Sequence, residues 1–193
     1  ATDEGSRIDA ALELYAQTGQ ILKENEGLKG LIEAVLGKYK DYNKTFEQLV
    51  VFSHEYRVAG SLDKLGLLSN RKDSKFHLSD FKCFEGGMSY EPKGQSWLNP
   101  PFDYLPNTKY TKINIQTSYY TYLFEMLTGR KCERIFVDMI QPVRNDQGKV
   151  VKYKNHIIPM PYMKHQIETM LDLFKDRILA ELEPLPVPEL EDF

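Results

Sequence analysis

The chain has 193 residues, 41% of them hydrophobic and 27% charged, which suits one globular domain able to close its own core. No apolar run approaches the roughly 20 residues needed to cross a bilayer, and the N-terminus is not signal-like, so no membrane partner is expected. The net charge of −3 argues against a passive nucleic-acid coat, which needs an excess of Lys and Arg. The two cysteines, Cys83 and Cys132, are too few for a disulfide framework or a four-cysteine metal cluster, and point to a reducing, cytoplasmic setting.

In chain order, residues 6–22 read as a helix, with Ile8, Ala11, Leu12 and Tyr15 on one face and Ser6 as a possible cap. A second helix is expected over 28–39, punctuated by Gly27 and Gly37. From Glu47 the pattern changes to β-branched and aromatic residues, predicting strands over 47–54, 56–68 and 76–83 in an antiparallel meander. Residues 84–112 have no period and hold Gly86, Gly87 and several prolines, a long connection of the kind that is often functional. A helix over 114–127, ending at Gly129, precedes strands over 134–142 and 150–158 joined by a turn at Asn145 to Gly148. A final amphipathic helix covers 163–182. The order predicts an α/β (α+β) fold, a central mixed β-sheet flanked by helices. Residues 1–183 form one domain and 184–193 a Pro-rich, acidic C-terminal tail.

Asp80 and Lys82 lie two apart in a strand, so they share a face with Phe76 and Leu78 and end an apolar row. Charges there are costly to bury without partners. An isolated pair of this kind is most often a surface ion pair. Here, however, Asp63 stands on the preceding strand, where a hairpin brings it beside Asp80. Two carboxylates held together repel unless a cation lies between them, and hard oxygen ligands favour Mg²⁺ or Mn²⁺. Gly60 leaves room for a close approach by substrate or backbone.

Gly60-x-x-Asp63, then Asp80-x-Lys82 on the next strand, then Gln116-x-x-x-Tyr120 on a helix resembles the RecB-like branch of the PD-(D/E)XK nucleases, and the segment from Gly5 through Asp9 to Glu13 is similar to that branch's Gly-x-x-x-His helix. The resemblance covers nearly the whole chain and implies a restriction-endonuclease-like core. It also implies a metal-dependent deoxyribonuclease, more often an exonuclease, serving DNA repair, recombination or phage DNA processing. Asp63 and Asp80 would be metal ligands, joined by the Phe81 carbonyl. Lys82 would orient or deprotonate the attacking water and offset transition-state charge. Gln116 and Tyr120 would steady the water and the scissile strand, unless that helix merely packs through Tyr119, Leu123 and Leu127 with Gln116 at the surface. One or two Mg²⁺ or Mn²⁺ ions are implied, and no iron–sulfur cluster. Asp9 stands where many relatives carry a metal-binding His; it either keeps that ligand, with Glu13 as its neighbour, or marks its loss.

Glu47 and Glu55 are further acidic candidates, while His54 and His77 read as structural. For DNA contact the candidates are Lys109, Lys112, Arg130, Lys131 and Arg134, a second basic group at Lys149, Lys152 and Lys154, and stacking by Trp97, Phe102 and Tyr104. Two other functions stay open. One is a structure-specific endonuclease on the same core. The other is a non-catalytic DNA-binding or assembly subunit. A homo-oligomer or a recombination or repair partner protein is compatible with each. The compact chain looks like phage or stand-alone bacterial members, which places it in the host cytoplasm if phage-encoded.

Overall fold

The computed structural model describes residues 3–181 apart from 93 and 95, with the backbone alone at 3 and 176–181. The expected tail at 184–193 and the last residue of the final helix lie outside the described residues. The elements are α1 (Asp3–Thr18), a 3-10 turn (Lys23–Leu28), α2 (Lys29–Gly37), β1 (Lys44–Ser53), β2 (Val58–Leu67), β3 (Phe76–Cys83), α3 (Lys109–Thr128), β4 (Cys132–Arg144), β5 (Val150–Met160) and α4 (Lys164–Glu181). The five strands make one open sheet in the order β1-β2-β3-β4-β5. The pairings are antiparallel except for the parallel β3–β4 pair. This is the expected α+β architecture of a mixed sheet flanked by helices, and its first three strands form the expected meander. No helix among the described residues is long and apolar enough to cross a membrane.

A parallel pair needs a crossover, and α3 supplies it. Leu123, Phe124 and Ile113 of α3 cover Phe76, Leu78, Leu62, Leu65 and Val137 on one face of the sheet. On the other face Ile8, Ala11 and Leu12 of α1 meet Ile32 and Val35 of α2 over Ile140, Phe81 and Cys83. A third cluster joins Ile167 and Leu171 of α4 to Tyr56 and Phe102, so Phe102 of the long connection is folded into the core. Trp97 and Tyr104 remain exposed, at 57% and 56%.

Helix α3 begins five residues earlier than its periodicity suggests. Thr108 caps it, its hydroxyl accepting the Thr111 N–H at 3.0 Å, and Gly129 ends it in the left-handed region. The apolar pattern misses this start because α3 buries polar residues, among them Thr111, Asn114, Thr117, Ser118 and Thr121. Buried Glu125 ties its last turn to the next elements, accepting from the Cys132 N–H at 2.8 Å and from Lys164 at 3.1 Å.

Candidate active site

The β2–β3 ladder runs from Leu67/Phe76 only as far as Lys64/Ser79. The next two residues, Asp63 and Asp80, stand opposite each other where the strands part. At the same level the β1–β2 ribbon is irregular: Glu47 pairs with Lys64 and Leu49 with Leu62, but Gln48 and Asp63 between them do not pair. Gln48 has a φ of 48°, which a residue with a side chain adopts only under local constraint.

The consequence is a change of side along both strands. Leu62 joins the cluster under α3 before the irregularity, and Leu65 and Leu67 join it after; Leu49 and Val51 likewise alternate with Phe46. Strict period two would put Leu62 and Leu65 on opposite faces. Asp63 occupies the switch point, and its carboxylate turns into the fork, where Oδ2 accepts the Phe81 N–H at 2.8 Å. In an extended strand a residue's N–H and C=O leave by the same edge. The Phe81 carbonyl therefore opens onto this fork as well, beyond the last β2–β3 hydrogen bond.

Asp80 is 3% exposed. Its Oδ2 lies 2.6 Å from Lys82 Nζ, yet that oxygen has no well-directed hydrogen bond. Burial first, and then the charge of Asp63, push the Asp80 carboxyl up to about 7, against the pull of Lys82. Asp9, at the rim of the site on α1, is raised to about 6 by the same two causes, crowding by protein and the Asp63 charge, again opposed by Lys82. Burial works to lower the Lys82 pKa, but Asp80, Asp63 and Asp9 outweigh it and hold the side chain as an ammonium. The structure thus brings Asp9, Asp63, Asp80 and Lys82 into one electrostatic cluster.

The fit of a divalent cation can be judged from these atoms. As placed, no three His, Cys, Asp or Glu side chains among the described residues converge on one metal position. The donor set is instead the pair Asp63 and Asp80 with the Phe81 carbonyl. Mg²⁺ keeps several waters and commonly takes only one or two carboxylates, so this set is sufficient. The buried Asp80 Oδ2, without a directed donor, is the oxygen such an ion would satisfy.

Tyr120 of α3 packs its ring against β2 at Gly60, three residues before Asp63, and Gln116 Nε2 donates to the Tyr120 hydroxyl at 3.0 Å. The close neighbour of Gly60 is the Tyr120 ring: a Cβ there would meet Tyr120 Cε1 at 2.3 Å. Gly60→Ala should displace that ring and cost about 1–3 kcal/mol of stability through overpacking. Urea denaturation checks it, and an unchanged midpoint would show that Tyr120 is free to move.

Glu47 pairs with buried Lys64, whose ammonium also lies 4.7 Å from the centre of the Tyr39 ring. Glu47 lines a small recess with Asp9, Glu13, Gln48 and Asp63. Behind it, fully buried Asp138 is held by Lys38, the Tyr39 hydroxyl and Ser79. Sequence reasoning missed Lys64 and Asp138; the available signals were Lys64 directly after Asp63 and Asp138 inside the apolar run from Ile135 to Ile140. Glu55 pairs with Lys175 at 2.5 Å on the surface. His54 stacks edge-on against Phe52, and His77 bonds Tyr42 at 2.6 Å, as structural histidines would.

The basic candidates separate. Lys109 and Lys112 open α3, beyond the end of β3 that bears Lys82. Arg130 and Lys131 stand at the other end: Arg130 donates to the Arg71 carbonyl at 2.7 Å, and the Lys131 carbonyl accepts the Phe76 N–H. From Phe76 to Lys82 is about 20 Å of strand. Arg130 and Lys131 are therefore not neighbours of the carboxylate–lysine cluster. Two clefts of about 720 and 670 Å³ are lined in part by Lys149 and Lys152 and by Arg134 respectively, and by none of Asp9, Asp63, Asp80 or Lys82. Cys83 and Cys132 lie at opposite ends of the β3–β4 ladder.

No protein-family model matches the chain, and no curated protein matches it.

Proposed function

We propose that this chain is a metal-dependent DNA nuclease of the PD-(D/E)XK type, hydrolysing phosphodiester bonds. The observation that carries the reading is the fork between β2 and β3. It sets two carboxylates against each other and pairs the buried one with Lys82 at 2.6 Å. Holding like charges together in a nearly dry site costs stability that a purely structural ion pair would avoid.

Mg²⁺ or Mn²⁺, when bound, supplies Lewis-acid activation of water and of the scissile phosphate. Asp63 and Asp80 would hold it, with the Phe81 carbonyl. Lys82, kept as an ammonium by its acidic neighbours, is suited to orient the attacking water and to offset charge on the phosphate, more than to act as a base. Gln116 and Tyr120 would steady the strand from α3. The exonuclease preference rests on the RecB-like resemblance, as do a restriction-endonuclease-like core, roles in repair, recombination or phage DNA processing, and a cytoplasmic setting.

The test is degradation of end-labelled linear DNA, single- and double-stranded, with Mg²⁺, Mn²⁺ or EDTA. Loss of DNA only with metal supports the reading; folded protein inert with both metals sinks it. Closed circular DNA, which offers no end, separates an endonuclease from an exonuclease.

A further inference from the structure

The row of side chains that carries the site does not stop at Lys82. Phe84 has the same parity as Asp80 and Lys82, and its N–H still donates to Ile140 of β4 at 3.0 Å, so the strand geometry continues to it. The Lys109 ammonium lies 4.3 Å from the centre of the Phe84 ring. Phe84 is about 7 Å along the strand from Lys82, so the first cation of α3 is the next charged group on that face.

Beyond it opens a cleft of about 360 Å³ lined by Gly86, Gly87, Asn107, Thr108, Lys109 and Lys112, with Glu91 as its acid. Neither lysine enters an ion pair among the described residues. A Cβ on Gly86 or Gly87 would meet nothing within 4 Å, so this wall is bare backbone facing open space. On the same loop Tyr90 is 55% exposed and packs on Tyr110 of α3, ring centres 5.1 Å apart. The Tyr110 N–H donates to the Ser89 carbonyl at 3.2 Å, which fixes the loop against the first turn of the helix.

Two cations with no ion pair among the described residues, beside a partly exposed aromatic pair and beyond a carboxylate–lysine centre, suit a chain of phosphates with unstacked bases. A duplex keeps its bases paired and offers no face to Tyr90. We infer that the cleft holding Lys109 and Lys112 is a track for single-stranded DNA leading past Phe84 to the site, with the adjoining Tyr90–Tyr110 pair as its stacking platform. This rests on the nuclease reading for what lies at its inner end, and it selects the single strand, or a frayed end, as the form of DNA that enters.

The test is fluorescence anisotropy in EDTA, where no cleavage occurs, on a labelled oligothymidine and on a duplex of the same length. Tyr90→Ala is expected to weaken single-strand binding about tenfold, with the duplex changing less than about twofold, and Tyr90→Phe to restore it. Lys109→Ala with Lys112→Ala should lower the slope of log affinity against log salt by about 1.4 for the single strand, two phosphates' worth. The track is overturned if Tyr90→Ala leaves single-strand affinity unchanged, if Tyr90→Phe is as weak as Tyr90→Ala, or if both DNA forms weaken equally. Wild type that fails to cleave with either metal, but shows this single-strand-selective loss, would remove the nuclease reading and leave the track standing.

Discussion

Lys82→Ala is expected to lower metal-dependent DNA cleavage on the order of a thousandfold, the range for losing a positioned proton-transfer or charge-stabilising group. The substitution should separate catalysis from metal binding. Lys82 lies 2.6 Å from Asp80 Oδ2 and competes with a divalent cation for that oxygen. Without the ammonium, Mn²⁺ should bind as well or better, and should still raise the melting temperature. Asp80→Asn removes a ligand and should abolish both cleavage and the Mn²⁺ shift. Near wild-type cleavage by Lys82→Ala would refute the catalytic assignment. Loss of the Mn²⁺ shift in Lys82→Ala would mean that the lysine only holds the fork together.

The second large effect is on pH. A carboxyl whose pKa rises on folding holds its proton more tightly in the native than in the unfolded chain, so stability falls as pH climbs through that interval. For Asp80 the interval runs from its ordinary 3.8 to about 7, and for Asp9 from 3.8 to about 6. The metal-free protein should therefore lose stability from Asp80 and Asp9 between about pH 4 and about pH 7, and Asp80→Asn should remove the Asp80 part of that loss. A divalent cation requires the ionised carboxylates and competes with their protons. Saturating Mn²⁺ at about a hundred times its Kd stabilises by about 2.7 kcal/mol, or roughly 5–10 °C for a chain of this size. That shift should be present near about pH 8 and nearly absent near about pH 5. Cleavage should rise over the same range. Thermal melts with Mn²⁺ or EDTA at the two pH values decide it: an equal Mn²⁺ shift at both would place the metal on other ligands. Identical pH dependence in wild type and Asp80→Asn would show that Asp80 is not charged against Asp63.

How far the chain could be read follows from which features are local. Asp80 and Lys82 were legible as a same-face pair because strand side chains alternate, and that rule needs no knowledge of neighbours. The meander and the strand–helix–strand order followed from period changes and turn residues in the same way. The aim of Asp63 was not legible. It depends on Gln48, a residue of another strand with a φ of 48°, which nothing in its own identity requires. Gly60 was visible as a site of close approach, but only packing reveals Tyr120 as what approaches it. The start of α3 was obscured because its buried face is polar, and burial without hydrophobicity leaves no period. The separation of Lys109 and Lys112 from Arg130 and Lys131 is a matter of which end of a helix lies beside which end of a strand. Only the parallel β3–β4 pairing decides that the first turn of α3, and not its last, stands beyond Lys82.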